Sequence, residues 1–319
     1  MSRRVLVTGG SGFVGQWFCR LAMQRGWEAF AGRIDAPHAP APQILSESEH
    51  GNVRWLALDV TSQRDIDGTL QAAQPDLVLH LAGIAFPPSA NADPVRTYEI
   101  NALGAARLLH SLGAAGATGT RVLVVGTAEQ YGTHDRDAYP IVESAQLRPI
   151  SWYAGSKAAQ EVIALQAYRT TGVPVICTRS FNHSGVGHAR EYLLPSLVAR
   201  ARDIGKGPGT LRIGNGTPVR DYLHVADVVE AYALLLEKGE PGEIYNVSSG
   251  QGITVQELAE RVLRRANVSG SVVQDPALMR PSDIPVSVGD SSKLRRQTGW
   301  RPSRTIDDII DDLTHAAPR

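Results

Sequence analysis

The stretch Thr8-Gly-Gly-Ser-Gly-Phe-Val-Gly15 constrains this chain more than any other. Before it, Arg3 to Val7 reads as a short buried strand; after it, an apolar-periodic segment reads as a helix running to about Arg25. In a strand that turns directly into a helix, Gly9, Gly12 and Gly15 have separate tasks: a tight turn, close backbone approach to a ligand, and close packing of helix on strand. The helix start leaves N–H groups facing whatever lies beyond the turn, and these favour a pyrophosphate. The spacing predicts a dinucleotide-binding turn made by Gly9, Ser11, Gly12, Phe13, Val14 and Gly15.

The following segments repeat the alternation. A second strand, Glu28 to Ala31, ends in Gly32-Arg33, where an acid would accept bonds from an adenosine ribose and repel a 2′-phosphate. Arg33 can neutralise that phosphate, so NADP(H) is favoured over NAD(H), although Asp35 keeps NAD open. Residues 36 to 52 read as a surface loop, and Val53 to Leu58 as a third strand that delivers Asp59 and Val60 to the adenine edge. A fourth strand ends in Leu81-Ala-Gly83, whose small residues let backbone approach the cofactor. A helix from about Asp93 to Leu112 carries Asn101, and strand five, Arg121 to Val125, delivers Thr127 and Glu129.

Strands and helices in this order predict an α/β fold, a Rossmann-type doubly wound parallel sheet whose ligands lie beyond the carboxyl ends of the strands. Strand six is expected at Val173 to Thr178, an amphipathic helix at Ala226 to Lys238, a strand at Glu243 to Val247, a helix capped by Thr254 and a last helix from about Ile306. The pattern loosens after strand six, so residues 1–178 with 221–250 are expected to bind NADP, and 179–220 with 251–319 to form a smaller, discontinuous substrate lobe.

Composition removes several function classes. Lys plus Arg and Asp plus Glu are 32 each, so no net field would draw nucleic acid or an anionic membrane surface. The two cysteines lack a C-x-x-C pattern, the nine histidines lack ligand spacing, and no metal is expected. No apolar run approaches the roughly 20 residues of a membrane span. Met-Ser-Arg-Arg leads straight into a strand without a signal-peptide core, so a cytoplasmic location is expected.

Tyr153-Ala-Gly-Ser-Lys157 places a phenol and an ammonium about one helical turn apart on one face. A tyrosine titrates near ~10, and a lysine charge held close would bring it down; a shift of roughly 3 units takes on the order of 4 kcal/mol. The same spacing also occurs on solvent-facing helices.

In order along the chain, Thr-Gly-Gly-x-Gly-x-x-Gly, Leu81-Ala-Gly83, Asn101, Thr127 through Gly132, Tyr153 with Lys157, and Arg220-Asp-Tyr-Leu-His224 resemble the extended short-chain dehydrogenase/reductase family of nucleotide-sugar enzymes. Phe181-Asn-His-Ser-Gly185 and the tail from Arg280 through Trp300 resemble its GDP-mannose branch, which holds the GDP-mannose 4,6-dehydratases and the GDP-4-keto-6-deoxy-mannose reductases. The resemblance to the reductase is closer. The chain is short for a dehydratase, and the segment after His183 lacks the arginine-rich insertion that dehydratases use to form tetramers.

The resemblance implies NADPH-dependent reduction of a 4-keto-6-deoxy nucleotide sugar, with Tyr153 as proton donor, Lys157 lowering its pKa and binding the nicotinamide ribose, and Thr127 orienting the carbonyl oxygen. Asn101 is carried over as a cofactor residue, and Asn182, Arg220 and Arg280 as contacts to a GDP-sugar. For the arginines a surface salt bridge, and for Asn182 an Asx turn, remain open. The alternatives are 4,6-dehydration with Glu129 as base, 4-epimerisation, and a non-enzymatic regulator. Ala128 stands where glucose-type dehydratases carry aspartate. Trp152 and Val186 stand where prolines are usual, which would alter the sugar pocket. A homodimer is implied, built on the helices after Asp93 and from Tyr153, whose non-catalytic faces carry Ala105, Ala106, Leu108, Leu109, Ala158, Ile163 and Leu165.

Overall fold

The computed structural model describes residues 2–34, 44–205, 207–279 and 284–316. The first half runs β1 (Arg4–Thr8), α1 (Phe13–Gln24), β2 (Glu28–Arg33), α2 (Glu47–Asn52), β3 (Arg54–Ala57), α3 (Gln63–Ala73), β4 (Leu77–His80), α4 (Pro87–Ala92), α5 (Pro94–Tyr98), α6 (Gly104–Ala114), β5 (Arg121–Thr127), α7 (Trp152–Thr171) and β6 (Val175–Ser180). The second runs β7 (Asn182–Ser184), α8 (Leu193–Ile204), β8 (Gly209–Ile213), β9 (Val219–His224), α9 (Val225–Lys238), β10 (Ile244–Val247), β11 (Gly252–Thr254), α10 (Val255–Arg265), β12 (Gly270–Gln274), β13 (Val286–Ser287), α11 (Ser292–Thr298) and α12 (Ile306–His315).

Seven strands form one parallel sheet in the order β10-β6-β5-β4-β1-β2-β3. Its strands are apolar on both faces, as a sheet covered by helices on both sides requires. One face buries Val5, Val7, Leu79 and Leu123 with Phe18, Tyr232 and Leu236; the other buries Leu6, Val78, Val122 and Cys177 with Leu108, Leu109 and Ala164. Strand order reverses between β1 and β4, so a crevice opens at their carboxyl ends, where the glycine turn and Leu81–Gly83 meet.

The smaller lobe holds β11-β9-β13 with β7 beside β9, and the parallel pair β12-β8. Leu197, Val198, Leu211, Leu258, Val262 and Ile310 form its core. Thr254 caps α10 by accepting from Glu257 N–H at 3.0 Å, as its position in the sequence predicts.

The structure departs from the sequence reading in three places. Residues 47–52, expected in a loop, form α2, begun by a capping box between Ser46 and Glu49. The single helix expected from Asp93 to Leu112 is α5 and α6 joined by a π-helical turn, Glu99–Leu103. Residues 292–300, expected with the substrate lobe, lie against the main sheet: Leu294 and Trp300 join the core around Tyr232 and Tyr245, and the Trp300 indole donates to Asp227 O at 2.9 Å.

Candidate active site

One cleft of about 2090 Å³ runs along the carboxyl edge of the sheet, from Arg33 and Asp59 at one end to Arg220 and Tyr222 at the other. The glycine turn forms its floor. Gly9 has φ +65°, and a Cβ there would come within 3.0 Å of the Ala82 backbone; one on Gly15 would come within 2.6 Å of Gly9 O. Gly12 caps α1 without a side-chain bond, so the first N–H groups of the helix open towards the cleft. Ser11, Phe13 and Val14 line it. Thr8 Oγ1 accepts from the N–H groups of Leu81 and Ala82, both at 3.1 Å, and shares a hydrogen bond with His80 Nδ1 at 2.9 Å. The turn and the end of β4 are thereby locked together, with Leu81, Ala82 and Gly83 in the wall.

These residues fit a dinucleotide. The turn has room for phosphate only where glycine leaves it, and the Arg33 Nε is buried without a hydrogen-bond partner at the end where an adenosine would lie. Val60 and Asp59 line that end. Burial opposes the charge of Asp59, yet the N–H and hydroxyl of Thr61, each 2.8 Å from Oδ1, hold its pKa below the usual carboxylate range.

Asn101 stands behind this wall, fully buried. Its Oδ1 accepts from Ile84 N–H at 2.8 Å, and its amide donates to Ile84 O at 3.1 Å and to Ser156 Oγ at 2.9 Å. Those bonds use its polar atoms and tie the π turn to the loop after β4 and to α7. Asn101 braces the cleft and is not among the residues that line it.

At the centre, Thr127 ends β5 and Tyr153 and Lys157 face it from α7, which Ser151 caps by accepting from Ala154 N–H at 3.1 Å. All three side chains are buried. Burial above all, then the Glu129 carboxylate, push the Tyr153 phenol well above its usual pKa, and the Thr127 hydroxyl beside it draws it back only in part. The phenol is therefore protonated in the free protein. Burial lowers Lys157 from 10.5 to about 8. Its ammonium donates to Val125 O at 2.8 Å and to Gln160 Oε1 at 2.7 Å, so in this state the lysine is held by strand β5 and by its own helix. Glu129 lines the cleft beside Tyr153.

The cleft is aromatic where Phe13, Phe86, His188 and Tyr192 line it. Phe13 stacks on His188 with ring centroids 4.7 Å apart, His188 meets Tyr192 at 4.3 Å, and Tyr192 meets Phe86 at 5.3 Å. Burial above all lowers the pKa of both His183 and His188, the latter to about 3, so both imidazoles are neutral. Asn182 lines the cleft at the start of β7, and Arg220 lines it from β9, its Nη1 donating to Ile284 O at 2.7 Å. Arg280 lies outside the described residues. Trp152 lines the cleft and is half exposed, whereas Val186 turns its carbonyl to the Trp17 indole at 3.0 Å.

A brace that the sequence reading missed supports Thr127. Its N–H donates to Gln130 Oε1 at 2.9 Å; Gln130 Nε2 donates to Glu161 at 3.0 Å, and Glu161 holds Arg179 through two bonds of 2.9 and 2.7 Å. Glu161 lies one helical turn beyond Lys157, a spacing legible in the sequence. Gln130 is three residues after Thr127, the spacing of a capping box. Among the described residues no group of three or more His, Cys, Asp or Glu side chains could hold a metal ion, and no helix is long and apolar enough to cross a membrane.

The chain is similar to known proteins across most of its length. The family described as GDP-mannose 4,6 dehydratase matches residues 6–313. The chain is 36% identical over 313 residues to GDP-6-deoxy-D-mannose reductase of Pseudomonas aeruginosa, covering 96% of this chain and 94% of that protein. It is 28% identical over 297 residues to GDP-6-deoxy-D-talose 4-dehydrogenase of Aggregatibacter actinomycetemcomitans, covering 93% and 91%. Among solved structures, RMD from Pseudomonas aeruginosa complexed with NADPH matches with a TM-score of 0.81 at 33% identity, covering 98% of each chain. With its doubly wound sheet, its glycine turn and a match across residues 6–313, the chain belongs to the GDP-mannose 4,6-dehydratase family of extended short-chain dehydrogenases/reductases.

Proposed function

We propose that the chain reduces the 4-keto group of a 4-keto-6-deoxy nucleotide sugar, with GDP-4-keto-6-deoxy-D-mannose as substrate and NADPH as reductant. The observation that carries this reading is the 36% identity, over 96% of the chain, to a protein named for that reduction product. The site is compatible with it. Reduction needs a proton donor at the carbonyl oxygen, and Tyr153 is a buried, protonated phenol. When bound in the cleft, NADPH supplies the hydride to the carbonyl carbon. Tyr153 gives its proton to the oxygen, so that ketone, hydride and proton become the alcohol. The Thr127 hydroxyl fixes the oxygen against the phenol. Lys157 keeps one ammonium donor beyond those used by Val125 and Gln160, and directs it to the nicotinamide ribose. Arg220 and Arg280 serve the diphosphate, as charge-assisted bonds suit a dianion, and Asn182 the sugar. Asn101 acts from behind the wall.

Glu129 beside Tyr153 supports a second reading, 4,6-dehydration with this carboxylate as base. Purified protein with GDP-mannose separates the two: loss of water without added NADPH overturns the reductase reading, and NADPH oxidation only with the 4-keto sugar nucleotide overturns the dehydratase. Turnover of a sugar nucleotide with neither net cofactor change nor water loss would instead mark an epimerase.

A homodimer in the cytoplasm completes the proposal. Leu108 and Leu109 pack against the sheet and Ala105 is fully buried within the monomer, so these three are not the contact face. The apolar side chains left outside on α5, the π turn and α7 are Val95, Leu103, Trp152 and Val162, exposed by 82, 48, 54 and 62%. Such a patch supports a two-helix face that pairs with its copy.

A further inference from the structure

The adenine end of the cleft holds more than Arg33. The Arg33 guanidinium lies over the indole of Trp55, 5.1 Å from its centroid, and the His50 imidazole stacks on the same indole at 4.9 Å and 29°. The three side chains come from β2, β3 and the last turn of α2, and all line the cleft with Gly32 and Asp59. The Trp55 Nε1–H donates to His50 O at 3.2 Å, which ties the end of α2 to the strand and fixes where the imidazole stands. Arg33 Nε is buried and makes no hydrogen bond. An indole face holds a guanidinium flat without using its N–H groups, so the donors of Arg33 stay available to a ligand.

Among the described residues, the carboxylates around this corner have partners of their own. Glu49, beside His50, is engaged by Arg20 through bonds of 2.8 and 2.9 Å, and Glu28 faces Arg4 and Arg54. Asp59 turns Oδ1 to Thr61. A phosphomonoester on a ribose carries up to two negative charges and three acceptor oxygens, more than one guanidinium satisfies. We infer that His50 and Trp55 join Arg33 in a site for the 2′-phosphate of the adenosine half of NADP, His50 as its second donor and Trp55 as the plate that positions both. This rests on NADP(H) being the cofactor, and it makes discrimination against NAD(H) the work of three residues.

The test uses the full chain without sugar substrate. NADPH and NADH are titrated by their fluorescence, and 2′,5′-ADP and 5′-AMP by calorimetry, against wild type, His50→Ala, His50→Gln and Trp55→Leu. His50→Ala should weaken NADPH and 2′,5′-ADP by about tenfold, the loss of one charge-assisted bond, and leave NADH and 5′-AMP unchanged. His50→Gln, which keeps an N–H donor, should recover part of that affinity. Trp55→Leu should lose more than His50→Ala, because both donors lose their support. A wild-type preference for NADPH that His50→Ala leaves intact overturns this inference alone. A wild type that binds NADH as tightly as NADPH overturns the cofactor reading, and this inference with it.

Discussion

Lys157 donates to the amide oxygen of Gln160 at 2.7 Å, three residues along the same helix and fully buried. A neutral acceptor that close favours the charged form of a lysine that burial has brought down to about 8. Gln160→Leu removes the acceptor in similar volume, so the ammonium should lose its proton at lower pH. The alkaline limb of the kcat profile with the keto sugar is expected to move below its wild-type position, while NADPH still binds at pH 6. An unmoved limb would show that Gln160 merely fills space.

The same burial has a consequence for folding. The folded-state pKa of Lys157, about 8, lies below its ordinary value of 10.5, so the unfolded chain binds the extra proton between those values. Stability linked to this group is therefore lowest below pH 8 and rises as pH climbs towards 10.5. Lys157→Met removes the titration. Relative to wild type, the variant should lose on the order of 3 kcal/mol of advantage between pH 7 and pH 10.5. Urea unfolding of both proteins at the two pH values reads this difference, and other titrating groups cancel in it.

Tyr153→Phe keeps the buried ring and removes only the hydroxyl that carries the proton. With NADPH and the keto sugar, kcat should fall by about 10²- to 10⁴-fold, while the affinity for NADPH changes little. Unchanged turnover in whichever assay is active would remove Tyr153 from its assigned role.

Much of this was legible in the sequence because backbone needs are local. Gly9 and Gly15 are glycines since a Cβ at either would strike the neighbouring turn, and a sequence displays such a requirement directly. Tyr153 and Lys157 share a helix face, as a spacing of four requires. Their spacing could not say where each headgroup goes: Lys157 reaches Val125 and Gln160, while Tyr153 answers to burial, Glu129 and Thr127. Asn101 was read by its motif, but the π turn sets it behind the wall, and no helical periodicity shows a π turn. Residues 292–300 follow the lobe in sequence and return to the main core through Leu294 and Trp300, a tertiary choice. The Ser46–Glu49 capping box was readable and was hidden by the Pro- and Ala-rich composition just before it.

The exposed apolar face of α5, the π turn and α7 gives a prediction about assembly. Val162→Glu and Leu103→Glu each put a charge where a copy would pack, and both positions are exposed in the monomer, so folding should be kept. Light scattering after size exclusion should show a dimer for wild type and a shift to monomer for the double variant. A monomeric wild type would remove the dimer proposal.

Glu161 carries the last prediction, because it serves two tasks that can be separated. It is the bidentate partner of the buried Arg179, and it accepts from Gln130, whose other end holds the Thr127 N–H. Glu161→Ala leaves a buried guanidinium without its carboxylate, which should cost about 3–5 kcal/mol in urea unfolding. Replacing both partners, Glu161→Leu with Arg179→Met, removes the orphaned charge, so most of that stability should return. The double variant still lacks an acceptor for Gln130, and Thr127 stays loosely held. Its kcat should therefore remain well below wild type although its stability has recovered. A double variant that regains stability and activity together would mean that Glu161 supports the fold alone, and that Thr127 keeps its place without the brace.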